Sequence, residues 1–163
     1  MLLFSQKEKT MELDGIDTAI LQIIQKDATV PQREIGAAVG LSGPAVQRRL
    51  KGYAAAGLID KTVAVLDPTR CGVPLTVVVT IEVETEQIDK LDAIKRAFVS
   101  EPAVQQCYYM AGEWDFVVVL HVADMDAYTE LTRKLFFASN NVKRFKTLVA
   151  MQRVKYGLEL PLP

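Results

Sequence analysis

The sequence predicts an α+β fold with two domains, an N-terminal winged helix-turn-helix domain and a C-terminal ferredoxin-like βαββαβ domain. Apolar residues recur at helical spacings of three and four through the first 66 positions. After a segment containing Pro68 and Gly72 they alternate with polar residues, which is the period of a half-buried strand. We therefore expect four segments: a disordered N-terminal extension at 1–12, the helical domain at 13–66, a linker at 67–73 and the βαββαβ domain at 74–163.

The composition excludes several classes of protein. There are 19 lysines and arginines against 20 aspartates and glutamates, so a uniformly basic nucleic-acid coat is not expected, although a local basic face is allowed. Cys71 and Cys107 have no partner spacing and His121 is the single histidine, which argues against a disulfide scaffold, a metal site and a histidine-based triad. No apolar run approaches the roughly 20 residues of a membrane span. We expect a cytoplasmic protein with no membrane segment, metal or cofactor.

Three helices are predicted in the first domain. Asp14 can cap the first helix, which then has one apolar face. That face consists of Ile16, Ile20, Ile23 and Ile24. Pro31 opens the second helix and Gly40 ends it, while Ser42 caps a third helix that ends at Gly57 and returns the chain to the core at Leu58-Ile59. The tight turn between the second and third helices makes a helix-turn-helix.

The remaining chain predicts a wing and then the order β-α-β-β-α-β. The alternating run 62–66 predicts a short strand, the wing. Alternation predicts four further strands, at 75–83, 103–111, 116–122 and a last one that continues through Met151. Helical spacing predicts a helix from Ile88 and another capped by Asp124. Both helices should cover one face of the sheet and leave the other face apolar, so we expect at least a homodimer.

The third helix is the candidate DNA-binding element. Its core side carries Val46, Leu50 and Tyr53, and its outer side carries Pro44, Gln47, Arg48 and Lys51. Gln can pair with adenine and Arg with guanine or phosphate, and the N–H groups beside Ser42 could hold a phosphate. Arg49 lies on the flank, where it could reach phosphate or form an internal salt bridge. A plain solvated surface is the alternative, but the preceding helix and turn favour a recognition helix.

Several motifs, in order, resemble the Lrp/AsnC (feast/famine) family of transcriptional regulators over nearly the whole chain from about residue 12. In the first half these are 13–17, Ile20-Leu21, Leu41-Ser42, Val46, Arg49 and 57–59. In the second half they are 101–104, Cys107-Tyr108, 112–115, 124–128, Lys155 and 160–162. The chain departs from the family pattern at Ala111, where a Thr or Ser is common, and at Gly52-Tyr53, where a charged residue and Leu are usual.

The resemblance implies dimers that assemble into tetramers or octamers and an amino acid bound between dimers, beside a Gly-x-x-Asp loop. Here the predicted effector-binding residues are Ala111, Gly112, Glu113, Trp114 and Asp115, with Thr147 on the last strand. A glycine turn exposes N–H groups to a carboxylate, Asp115 suits an ammonium group and Trp114 can wall in a side chain. In the alternative interpretation, Asp115 only stabilises a hairpin turn.

The sequence therefore predicts a DNA-binding transcriptional regulator whose assembly or DNA binding responds to a small effector, an amino acid by resemblance. An architectural DNA-binding protein that ignores small molecules is the first alternative. Siroheme decarboxylases are similar in outline, but they need His and Arg-Tyr groups where this chain has the uncharged run 104–110. No spaced nucleophile and base or phosphate-binding loop is present, so we do not expect an enzyme.

Overall fold

The computed structural model describes residues 11–139 and 141–162, so most of the expected N-terminal extension lies outside the described residues. The chain divides into two compact units: one holds the chain up to Ala64 together with the tail from Lys155, and the other spans Val65–Val154. The tail was expected in the second domain. It joins the helical unit because Leu162 packs on the helical core and Gln25 pairs with both backbone groups of Leu160, at 2.9 and 3.1 Å.

The helical unit contains the three predicted helices. They are α1 (Gly15–Ile24), α2 (Gln32–Val39) and α3 (Gly43–Ala55). Asp14 and Asp17 form a reciprocal capping box at the start of α1. Gly40 ends α2 with φ 73°, a conformation that glycine adopts without strain.

The turn between α2 and α3 depends on a glycine in α2. A Cβ on Gly36 would lie 2.4 Å from the carbonyl oxygen of Leu41. The Leu41 N–H in turn donates to the Gly36 carbonyl at 2.9 Å. This close backbone approach fixes how α3 leaves α2, and it was not predicted from the sequence.

The second unit has the predicted βαββαβ order. Its elements are β1 (Leu75–Val83), α4 (Ile88–Ser100), β2 (Val104–Tyr109), β3 (Phe116–Val122), α5 (Met125–Thr132) with a following π-helical turn at Arg133–Phe137, and β4 (Val142–Val149). The strands form one antiparallel sheet in the order β2-β3-β1-β4.

One face of the sheet is a closed apolar core. Alternate residues of β1 and β3 on this face are buried against Phe98, Leu131 and Phe136 from the helical segments. The opposite face is mixed, whereas an apolar face was expected. Its central Val78, Val117, Val119 and Leu148 are flanked by Thr76, Thr80, His121 and Lys146.

Three expectations for local structure were wrong. The run 62–66 forms no strand, and its Val63 and Val65 are exposed, because the described residues offer it no pairing partner. The last strand ends at Val149 rather than Met151; the Ala150 N–H still donates to the Thr76 carbonyl at 3.0 Å, and Met151 is 97% exposed. Leu58 is exposed instead of entering the core.

No helix in the described part of the chain is long and apolar enough to cross a membrane.

Candidate DNA-binding surface and effector loop

Helix α3 presents the predicted polar stripe on its outer side. Pro44, Gln47, Arg48 and Lys51 are all exposed. The inner side of the helix is held by Val46 and Tyr53, both fully buried. Two cationic side chains and one amide therefore project from a helix that is fixed from behind, which is the arrangement of a recognition helix.

The start of α3 matches the predicted cap. The exposed Ser42 hydroxyl accepts from the Ala45 N–H at 3.4 Å, and Pro44 lies in the first turn. Of the first three residues of α3, Pro44 has no N–H and Ala45 donates its N–H to Ser42, which leaves the Gly43 N–H as the group from which a phosphate oxygen could accept. Gly52 lies in open space, and nothing in the structure explains it.

Arg49 takes the internal of its two possible roles. Its Nη1 donates to Asp14 Oδ2 at 2.9 Å and to Asp17 Oδ1, and its side chain is 28% exposed. Tyr53 donates its hydroxyl to the same Asp17 oxygen at 2.5 Å. Arg49 thus joins α3 to α1 and is directed away from the outer stripe. Tyr53, which departs from the resembled pattern, supplies the extra hydroxyl of this network.

The network stabilises the charged form of Asp17. Burial opposes ionisation of this carboxyl, but hydrogen bonds from Tyr53, from the Asp14 backbone and from Arg49 lower its pKa to about 2. The same contacts raise the pKa of Arg49. Asp17 is therefore an ionised, fully partnered carboxylate of α1 that is bonded to two residues of α3.

The predicted effector loop, residues 111–115, joins β2 to β3. Ala111, Gly112 and Glu113 are exposed, and Trp114 and Asp115 are partly exposed. The loop is closed by a 2.7 Å bond from the Met110 N–H to the Asp115 carbonyl. A Cβ at Gly112 would lie in open space, because no atom beyond the two neighbouring residues lies within 4 Å of its position.

Asp115 is bound to the sheet as well as to its own turn. Its N–H donates to the Ile81 carbonyl at 2.9 Å, and its Oδ2 accepts from the Val83 N–H at 2.7 Å. One carboxylate oxygen of Asp115 is thus engaged in holding the loop to β1. Oδ1 lies outside that bond and is the atom with which Asp115 could meet a cation.

The structure does not bring Thr147 together with the loop. Thr147 lies on the helix-facing side of β4, opposite Val79, and its hydroxyl is 2.5 Å from the Tyr128 hydroxyl of α5. Asp115 instead bonds to β1 at Ile81 and Val83. Thr147 is therefore a separate candidate, on the helix-facing side of β4.

Sequence reasoning missed Arg144 as a neighbour of the loop. Its guanidinium carbon lies 4.7 Å from the centre of the Trp114 ring, and its Nη2 lies 3.8 Å from Glu113 Oε1. No local motif marks Arg144, because its position depends on the pairing of β4 with β1.

The single histidine is part of the sheet. His121 Nε2 lies 3.1 Å from Gln105 Oε1 and Nδ1 lies 3.4 Å from Thr76 Oγ1. Burial, with the charge of Arg153, lowers the pKa of His121. Within residues 11–139 and 141–162 no group of three His, Cys, Asp or Glu side chains is placed to hold a metal ion.

A helix-turn-helix with an exposed polar and cationic stripe, followed by a separate βαββαβ unit with a polar loop, defines a class of DNA-binding proteins with a second, ligand-binding module. Two family models match the chain in these two places: an AsnC-type helix-turn-helix domain at residues 13–52 and an Lrp/AsnC ligand binding domain at residues 76–160. The chain belongs to the Lrp/AsnC family of transcriptional regulators.

Individual proteins agree with this assignment. The chain is 36% identical, over 96% of its length and 92% of the relative's, to an uncharacterized HTH-type transcriptional regulator of Sinorhizobium fredii. An AsnC family transcriptional regulator from Agrobacterium tumefaciens has a similar structure, with a TM-score of 0.87 and 31% identity over 92% of this chain and 97% of that one. A feast or famine regulatory protein from M. tuberculosis, solved in complex with L-methionine, has a TM-score of 0.81 and 25% identity over 93% of this chain and 100% of that one.

Proposed function

We propose that this protein is a sequence-specific transcriptional regulator that binds double-stranded DNA through α3 and responds to an amino acid. The observation that carries the DNA-binding proposal is the exposed stripe of Pro44, Gln47, Arg48 and Lys51 on a helix whose opposite side is buried. Gln47 and Arg48 are proposed to contact base edges, and Lys51 to contact phosphate. Ser42 and the N-terminus of α3 are proposed to dock on the backbone.

Arg49 is proposed to position α3 rather than to read DNA. Its Nη1 is committed to Asp14 and Asp17, so a DNA contact through that nitrogen would have to break a partly buried ion pair. Breaking a buried pair is expensive, because it leaves an uncompensated charge. The DNA contacts are therefore assigned to its outward neighbours.

We propose a homodimer, assembling further into a tetramer or octamer, as the form that binds DNA. The sheet face opposite α4 and α5 holds Val78, Val117, Val119 and Leu148, a centre that a second copy could cover. A two-fold dimer would present two copies of α3, so its operator should be pseudo-palindromic with half-sites separated by about 34 Å or a multiple of that distance.

The effector is proposed to bind at the loop that follows β2. Asp115 Oδ1 would accept from an ammonium group, and the backbone at Gly112 would donate to a carboxylate. Ala111, Glu113 and Trp114 would line the part of the site that takes the side chain of the effector. Thr147 is a secondary candidate for contact with the effector. The L-methionine complex of the M. tuberculosis protein supports an amino acid as the class of effector. An effector that binds one assembly state more tightly would shift the population of oligomers.

Two experiments test this proposal. Selection of bound duplexes from a random pool should recover one pseudo-palindromic sequence, and recovery of unrelated sequences would favour the architectural alternative. A thermal-shift screen of the twenty amino acids should give a specific rise in melting temperature, because a ligand of the folded state stabilises it by mass action. No rise in melting temperature with any of the twenty amino acids would contradict the proposal that the protein responds to an amino acid.

Asp115→Asn tests the assigned site. Asparagine keeps an oxygen that can accept from the Val83 N–H but removes the charge that would hold an ammonium group. We expect amino-acid affinity, measured by calorimetry, to fall by about tenfold or more while the fold is retained. Unimpaired binding would show that the effector site lies elsewhere.

A further inference from the structure

Arg144 of β4 connects the effector loop to the sheet. Its Nε donates to Glu82 Oε2 of β1, its Nη2 faces Glu113, and its guanidinium carbon lies 4.7 Å from the centre of the Trp114 ring. An arginine can make all three contacts at once because its guanidinium is planar, forked and weakly hydrated. One side chain therefore contacts both residues in the middle of the loop.

Glu82 anchors this arrangement. Its side chain is only 19% exposed, and it accepts from Lys143 Nζ at 2.7 Å as well as from Arg144. Hydrogen bonds from Lys143 and then from Arg144 lower the pKa of Glu82, so the carboxylate is held in its charged form.

Three consecutive residues of β1, 81–83, hold the effector loop. Ile81 and Val83 bond directly to Asp115, while Glu82, between them, holds Arg144 and through it Trp114 and Glu113. The bonds to Asp115 use backbone groups of β1, which lie in the plane of the sheet, whereas Arg144 is held by the side chain of Glu82 on one face. The loop is therefore held at one point of β1 both through the backbone and through a side chain.

We infer that Arg144 is a positioning residue for the effector loop, orienting Trp114 and Glu113 relative to Asp115 and thereby setting the affinity for the amino acid. The inference deepens the proposed function and rests on it for the affinity. Lys143 provides a matched comparison, because it binds the same Glu82 but, in the part of the chain that the structure describes, forms no hydrogen bond or ion pair with residues 111–115.

Trp114 is the single tryptophan of the sequence, so its fluorescence reports on this contact directly. Arg144→Gln removes the charge over the ring, Arg144→Lys keeps a charge but not the planar fork, and Lys143→Gln is the control. We expect Trp114 to become more accessible to acrylamide quenching in Arg144→Gln, by about twofold, with Arg144→Lys intermediate and Lys143→Gln unchanged.

The second readout is amino-acid binding, with L-methionine and the best hit of the thermal-shift panel as probes. We expect Arg144→Gln to weaken binding by about three- to tenfold, as expected for the loss of one cation–π and ion-pair contact, and Lys143→Gln to leave it unchanged. Melting curves of all three variants check that the fold is intact, since these side chains lie at the surface.

The outcomes separate the two proposals. Equal quenching in Arg144→Gln and the unsubstituted protein would overturn the positioning role, whatever the ligand does. Increased quenching with unchanged affinity would also overturn it, while leaving the amino-acid sensor standing. If the unsubstituted protein binds no amino acid at all, the proposed function fails, and with it the claim that Arg144 sets affinity.

Discussion

Arg49 and Arg144 each face two carboxylates, yet they lie in very different surroundings. Arg49 is 28% exposed and binds Asp17, whose side chain is 6% exposed and also bonded to Tyr53. Arg144 is 55% exposed and binds Glu82 beside an exposed loop. The difference indicates that Arg49 fixes α1 against α3, whereas Arg144 holds the surface loop that is proposed to bind the effector.

The largest expected effect on stability comes from replacing Arg49. Arg49→Met leaves Asp17 buried without its cation, which should cost about 3 kcal/mol of stability. Arg144→Met breaks an exposed pair and should cost less than about 1 kcal/mol. Urea unfolding followed by circular dichroism measures both. Equal losses in the two variants would remove the distinction between the arginines.

A second comparison concerns two glycines. Gly36→Ala would drive a Cβ to 2.4 Å from the Leu41 carbonyl oxygen, so we expect a loss of about 2 kcal/mol as the helix-turn-helix shifts. Gly112→Ala in the effector loop has open space around the new methyl group and should be nearly neutral. Thermal melting of the pair tests this, and a stable Gly36→Ala protein would mean that the turn is more adaptable than described.

The third comparison is between the unsubstituted protein and Asp17→Asn as the pH is lowered. The pKa of Asp17 falls from its ordinary 3.8 to about 2 on folding, so its contribution to stability is present above pH 3.8 and is lost as the pH falls through 2. The shift corresponds to about 2 kcal/mol. The free energies of unfolding of Asp17→Asn and of the unsubstituted protein, measured by denaturation at each pH, should converge toward pH 2. A constant difference between them across that window would contradict the assigned ionisation.

The fold was predictable because most of its signals are local. The caps at Asp14 and Ser42, the glycine at Gly40 and the change of period near the linker each act within a few residues, and the structure has the three helices and the βαββαβ order that these signals predict. The exposed stripe of α3 was predictable for the same reason, since helical spacing alone decides which residues share a face.

The features that escaped prediction depend on partners distant in sequence. A strand at 62–66 requires a neighbouring strand, and the tail could be assigned to the helical unit only once Gln25 was seen to bind Leu160. The sequence alone does not show whether Arg144 or its neighbour Lys143 contacts the loop. Only the register that sets Glu82 opposite Arg144 reveals which of the two can also reach Trp114.

The outward stripe of α3 is the central feature of the proposed DNA-binding surface, and Arg48→Ala tests its role most directly. In gel-shift titrations on the selected operator, Arg48→Ala should lower affinity by about five- to 100-fold, equivalent to about 1–3 kcal/mol, with unchanged assembly on gel filtration. Arg96→Ala, which removes the same charge from the exposed face of α4, should bind like the unsubstituted protein. Equal operator affinity for the Arg48 variant and the Arg96 control would contradict the assignment of α3 as the DNA-reading helix.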